Sequence, residues 1–99
     1  MEQTMDLCTA ITNRQLVSFE YDGHQRIVEP AAHGSQVTTG NAVLRGYQVG
    51  GTSSSSTPPL WDLFLVDKIR SFKILDQSFS EIPPGYRQDD KHIDICCEL

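Results

Sequence analysis

The chain has 99 residues, which fit one domain with a modest core and leave little room for a second. Its 38% hydrophobic and 21% charged residues are typical of a globular protein, and no apolar run approaches the roughly 18 to 20 residues that span a membrane. The net charge of −5 comes largely from the residues after 76, and this balance excludes a long binding track for a phosphate backbone.

The first residues and the cysteines predict a cytoplasmic protein. The start, MEQTMDLCTA, carries acids where a signal peptide carries basic residues. Three cysteines cannot form the disulfide framework of a secreted domain, and Cys8 is expected to be a small residue of the core. No Cys-x-x-Cys pair occurs and the histidines lack partners at ligand spacing, so neither a metal nor another cofactor is expected.

Residues 2–14 predict a short amphipathic helix, because apolar residues that include Cys8 and Ile11 recur at helical spacing. Thr4 is expected to cap this helix, and Asp6 to lie in its first turn.

A β-hairpin is predicted next. From Leu16 the pattern has a period of two, and Phe19 and Tyr21 alternate with polar residues as in a half-buried strand. Asp22-Gly23 suits a two-residue type I′ turn, in which both positions need a positive φ. The stretch HQRIV is the second strand, and Pro30 is expected to end it because proline has no N–H for pairing.

Three more strands are predicted after a turn region, AAHGSQVTTGNA. They are VLRGYQV, LWDLFLV and SFKIL, with GGTSSSSTPP as a flexible loop and Asp67–Ile69 as a short corner. Beyond Asp76 the sequence has no sustained period. The pattern therefore predicts a mainly β domain over residues 1–76, with one N-terminal helix and five strands in a small barrel or roll, followed by an irregular acidic extension over residues 77–99.

Tyrosine and arginine recur together on two predicted strands. The two-residue turn places Tyr21 and Arg26 on one face of the hairpin, and Arg45 and Tyr47 alternate onto one face of the third strand. A guanidinium group suits a phosphate or carboxylate, and aromatic rings suit a base. The alternative for Arg26 is an ion pair at the barrel rim, with its stem covering an aromatic ring.

The order of three stretches resembles the WYL domain of bacterial and phage proteins. They are AITNRQLVSFEYDGHQRIVEP, VLRGYQ and FLVDKIRSFKIL, which together cover about residues 7 to 76. Matching positions are Ala10, Ile11, Arg14, Tyr21, Arg26, Pro30, Leu44, Tyr47, Phe64, Asp67 and Ile69. The chain departs from the family pattern where Ala42 and Val43 replace the Trp-Tyr pair, where Asp62 stands near an expected arginine, and where Lys68 replaces another.

The resemblance implies an SH3-like barrel of the Sm type, with five bent strands behind one helix. It also implies a regulatory role in sensing nucleotides or nucleic-acid ends. Carried over by position, the ligand-binding residues are Tyr21, Arg26, Arg45, Tyr47 and Lys68. Because no DNA-binding helix pair precedes the first strand, the chain resembles a free-standing, divergent member.

Two hypotheses of function follow. In the first, the protein is a non-enzymatic regulatory module that binds a small anionic ligand, either a nucleotide or a short nucleic acid. In the second, it is an adaptor for oligomerisation or for a regulatory protein partner, because the strand LWDLFLV offers an edge for pairing and the acidic extension suits a basic surface. No catalytic residue is assigned, because no nucleophile elbow or phosphate loop occurs and nothing orients His33 or Cys8.

Overall fold

The computed structural model describes residues 6–53, 57–86 and 93–99. Within these ranges the chain forms one α-helix and a single six-stranded antiparallel sheet. No helix among the described residues is long and apolar enough to cross a membrane. The elements are α1 (Leu7–Asn13), β1 (Gln15–Tyr21), β2 (His24–Gln36), β3 (Ala42–Gly51), β4 (Leu60–Leu65), a 3-10 helix (Val66–Lys68), β5 (Arg70–Ser78) and β6 (Ile93–Glu98).

Asp6 caps α1. Its carboxylate accepts a hydrogen bond from the Thr9 N–H at 3.0 Å. Asp6 therefore lies just before the first turn of the helix, and the prediction that it lies within that turn is wrong. The expected cap, Thr4, lies outside the described residues. The helix ends at Arg14, whose φ of 52° is left-handed and turns the chain into β1.

The predicted hairpin of β1 and β2 is confirmed. Asp22 and Gly23 have φ angles of 53° and 77°, as a type I′ turn requires. Tyr21 pairs with His24 and Phe19 with Arg26, in the expected register.

The prediction that the second strand ends at Pro30 is wrong. β2 continues to Gln36, with a register shift beside Pro30 that takes up the missing N–H. The Ala-Ala-His-Gly stretch after Pro30 is therefore strand, not turn. Its small residues allow close packing: a Cβ at Gly34 would overlap the backbone carbonyl of Asp94 on β6.

The chain after Asp76 is more regular than expected. β5 runs to Ser78, and β6 pairs with the second half of β2, from Ala32 to Gln36. A disulfide joins Cys8 of α1 to Cys97 of β6, with Cα atoms 5.6 Å apart. Cys8 is therefore not a free core residue, and the cysteines no longer argue for a cytoplasmic protein. Cys96 is free and exposed.

The mainly β architecture with one helix is confirmed, whereas the closed five-stranded barrel is not. The strand order is β4-β3-β2-β1-β5, β6 pairs with β2 beside this path, and the sheet does not close. Apolar side chains on the inner face of the sheet pack with α1 into one core, which includes Leu7, Ala10, Val17, Phe19, Val28, Leu44, Phe64, Ile69 and Phe72.

Candidate functional site

Arg26 is a buried part of the inner face, with only 2% of its surface exposed. Its guanidinium group lies 5.5 Å from the centre of the Tyr21 ring and 5.7 Å from that of Phe64. Nη2 donates to the Tyr21 carbonyl at 3.2 Å, and Nη1 donates to Gln48 Oε1 at 3.1 Å. The cation is thus solvated by protein groups in place of water.

Asp62 and Gln48 complete this cluster. The Asp62 carboxylate lies 3.7 Å from Arg26 Nη1 and also accepts the Leu63 N–H at 2.8 Å. Gln48 is fully buried, and its amide nitrogen donates to the carbonyl oxygens of Gly50 and Thr52, each at 2.9 Å. The acid that the sequence placed beside the predicted pocket therefore serves as the partner of Arg26.

The five predicted ligand-binding residues do not come together. Tyr21 and Arg26 belong to the inner face, and the Tyr21 hydroxyl accepts the Leu65 N–H at 3.1 Å. Arg45 and Tyr47 lie on the opposite, outer face of β3, as their cross-strand partners Leu63 and Trp61 do. Lys68 is exposed on the 3-10 helix. A single pocket lined by all five is not formed.

A row of side chains crosses the outer face instead. Glu29 of β2 pairs with Tyr47 of β3, and Tyr47 pairs with Trp61 of β4. The centres of the Tyr47 and Trp61 rings lie 5.2 Å apart, and the Tyr86 ring stacks on Trp61 at 6.0 Å with an angle of 21° between the ring planes. Three aromatic rings therefore stand side by side next to one carboxylate.

Residues 79–86, called the strap below, lie against this row. At one end the Phe79 N–H donates to the Arg14 carbonyl at 2.8 Å, and the Arg14 guanidinium donates to the Ser80 carbonyl at 3.0 Å. At the other end the Trp61 indole N–H donates to the Pro84 carbonyl at 2.6 Å. The strap has no regular secondary structure, and these bonds hold it in place.

A cleft of about 290 Å³ lies between the strap and the sheet. Its lining consists of Glu29, Tyr47, Phe79, Ser80, Glu81, Ile82, Pro83 and Pro84. Desolvation by burial raises the pKa of the Glu29 carboxyl above its usual value. No described basic side chain forms an ion pair with Glu29. The cleft combines aromatic and apolar walls with a carboxylate that has no ion-pair partner in the part of the chain that the structure describes.

The cleft was not predicted from the sequence. Glu29 was expected beside the end of a strand, Trp61 in a strand with an edge open for pairing, and the strap in an irregular segment. One signal in the sequence was Tyr86, in the Pro-Pro-Gly-Tyr stretch. A tyrosine ring in a segment without regular structure still buries its large apolar surface, and it often does so against another aromatic ring.

His33 lies in β2 with its Nδ1 atom 3.0 Å from the Val43 carbonyl, so it is an oriented strand residue and not a turn residue. In the described part of the chain no group of three or more His, Cys, Asp or Glu side chains is placed to hold a metal ion.

Comparisons of the chain with family models, curated proteins and solved structures find no match. The resemblance to the WYL domain therefore stays a prediction.

Proposed function

We propose that this protein is a non-enzymatic binding module that takes a cationic group of a partner into the cleft beneath the strap. The observation that carries the proposal is the desolvated Glu29 carboxylate in the cleft beside Tyr47, whose ring packs against that of Trp61. A carboxylate that has lost part of its hydration gains most from a cation that pairs with it. Aromatic faces attract the same cation through their negative quadrupole.

The size of the cleft favours a side chain over a larger ligand. Pockets for drug-sized molecules begin at about 300 Å³, and this cleft lies at that lower bound, with about 290 Å³. One lysine or arginine side chain fits such a volume.

Exposed apolar residues extend the surface beyond the cleft. Ile82 of the strap is 49% exposed, and Val49, two residues after Tyr47 in β3, is 37% exposed. A protein partner that presents a basic residue among apolar ones complements this surface better than a free amine does. The proposal is thus a form of the adaptor hypothesis.

The anionic-ligand hypothesis is the second candidate. One observation favours it: Arg45 and Tyr47 lie on the same outer face, so a guanidinium group and a ring face the same side of the sheet. Against it, the cleft beside Tyr47 is lined by two glutamates, which repel an anion.

The SH3-like fold and the cytoplasmic location belong to the same proposal. Two features support the fold: β1 lies between β2 and β5, and the Tyr21 hydroxyl of β1 accepts a hydrogen bond from the Leu65 N–H of β4.

The test is a titration followed by the fluorescence of Trp61, which is the one tryptophan of the chain. The cationic probe is Nα-acetyl-arginine amide, and AMP is the anionic probe. We expect the cation to change the emission saturably, and Glu29→Gln to weaken its binding about tenfold, as loss of a partly buried charge partner does. Glu20→Gln, the same change at an exposed position of β1, is the matched control and is expected to bind as the parent does.

Saturable binding of AMP without binding of the cation would overturn the proposal in favour of an anion site at Arg45. Equal binding of the cation by the Glu29→Gln variant and the parent would remove Glu29 from the site.

A further inference from the structure

A short series of residue contacts connects the disulfide to the cleft. Cys97 of β6 is bonded to Cys8 of α1, and the next residue, Glu98, turns its side chain to the outer face. There the Tyr86 hydroxyl donates to Glu98 Oε2 at 3.2 Å. Tyr86 in turn stacks on Trp61, which contacts two lining residues of the cleft, Tyr47 and Pro84. Three consecutive contacts thus connect the sulfur atoms to the binding surface.

The Tyr86–Glu98 contact is a charge-assisted hydrogen bond that persists over the physiological pH range. Burial and the neighbouring Glu98 charge raise the pKa of Tyr86 to about 12, so the hydroxyl keeps its proton and remains a donor. Tyr86 also lies 3.5 Å from the Ala31 carbonyl of β2. The C-terminal half of the strap is therefore positioned by two strands, β2 and β6.

β6 joins the rest of the chain through its pairing with β2, on the half of β2 that lies beyond Pro30, and through the disulfide to α1. Its buried apolar side chain Ile93 lies at the opposite end from Cys97, whereas Asp94 and Cys96 are exposed. The disulfide is thus the covalent attachment nearest to Glu98, beside the backbone pairing of this end with β2.

We propose that the Cys8–Cys97 disulfide is a redox switch for the cleft. A dithiol reductant supplies two electrons and two protons, converts the bond into two thiols and is itself oxidised to a disulfide. The end of β6 then separates from α1, Glu98 no longer fixes Tyr86, and the strap loses its position against Trp61. The effect on ligand affinity rests on the proposed function; the movement of the strap does not.

The experiment uses the full chain with Cys96→Ser, so that the free exposed thiol cannot form mixed disulfides. Trp61 emission without a ligand, and affinity for Nα-acetyl-arginine amide, are measured before and after treatment with dithiothreitol. We expect reduction to change the emission and to weaken binding about tenfold, which is about 1.4 kcal/mol of coupling.

Two variants isolate the proposed connection while the disulfide stays intact. Glu98→Ala and Tyr86→Phe are expected to reproduce the emission change in the oxidised protein, and reduction of Glu98→Ala is expected to add little. Asp94→Ala, on the same strand but exposed and remote from Tyr86, is the matched control and keeps the parent's emission.

The results separate the two proposals. Oxidised Glu98→Ala and Tyr86→Phe proteins that both match the parent in emission would overturn the switch, even if reduction alone unfolds the chain. If the emission responds as expected but no form binds the cation, the proposed function fails and the switch stands.

Discussion

Replacing Arg26 with methionine tests whether this arginine is structural. The change keeps an unbranched apolar stem but removes the guanidinium group that donates to the Tyr21 carbonyl and to Gln48 Oε1. Each buried acceptor left unsatisfied costs about 1 to 3 kcal/mol, and the lost contacts with two rings add about 1 kcal/mol. Asp62 adds little, because 34% of its side chain is exposed and water can solvate it. We expect a total loss of about 3 to 5 kcal/mol.

Urea denaturation, followed by Trp61 fluorescence and by circular dichroism, measures this loss. Because a domain of this size shifts its Tm by about 4 to 8 °C per kcal/mol, the melting temperature falls by at least about 12 °C. Arg70→Met, the same change at an exposed position of β5, is expected to alter stability by less than about 0.5 kcal/mol. A loss below about 1 kcal/mol for Arg26→Met would refute the structural role. Loss of ligand binding in an Arg26 variant therefore reports unfolding before it reports a site.

Three further changes have defined outcomes. Glu29→Gln should raise Tm at pH 7. Burial raises the pKa of Glu29 in the folded state, so the charged carboxylate destabilises the folded protein once the pH has risen from 4.5 through the raised pKa. Below pH 4.5 the carboxyl is protonated in both states, and the gain in Tm should vanish. Replacing both Cys8 and Cys97 with serine removes a link across 89 residues and should cost about 4 kcal/mol in urea denaturation. Gly34→Ala should cost about 1 to 3 kcal/mol, because its Cβ displaces β6, and should speed amide hydrogen exchange in that strand.

Each of these has an outcome that contradicts it. A Glu29→Gln protein less stable than the parent at pH 7 would mean that the carboxylate makes a stabilising contact in the folded state. Unchanged stability of the double serine variant would show that Cys8 and Cys97 are not joined. Gly34→Ala with the parent's exchange rates would show that β2 and β6 do not approach so closely.

The local pattern was sufficient to predict the hairpin but not the ends of the strands. Asp22-Gly23 and the alternation of Phe19 and Tyr21 give the turn and the register, because both depend on neighbouring residues alone. The second half of β2 was missed since proline, alanine and glycine are common in turns, and their small size becomes meaningful only when β6 packs on them. β6 itself pairs with a strand more than fifty residues earlier, and such a contact leaves no local signal.

The candidate site was harder to predict than the fold. The sequence left two roles open for Arg26, a ligand-binding residue or the partner of an acid at the barrel rim. An ion pair with an acid, Asp62, is present, but the burial of Arg26 was not predicted, because its partners Gln48 and Asp62 come from other strands. The disulfide was not predicted either, because its cysteines are 89 residues apart and meet only in the folded chain. The cleft depends on Glu29, Trp61 and the strap meeting on one face, which requires the register of three strands to be known.

The most direct test of the central claim is a map of amide and indole NMR shifts during titration with Nα-acetyl-arginine amide. The account predicts saturable shifts at Glu29, Tyr47, the Trp61 indole and the strap, together with their loss in Glu29→Gln. Shifts confined to the opposite face around Tyr21 and Lys68, or shifts in the cleft with AMP and none with the cation, would contradict it.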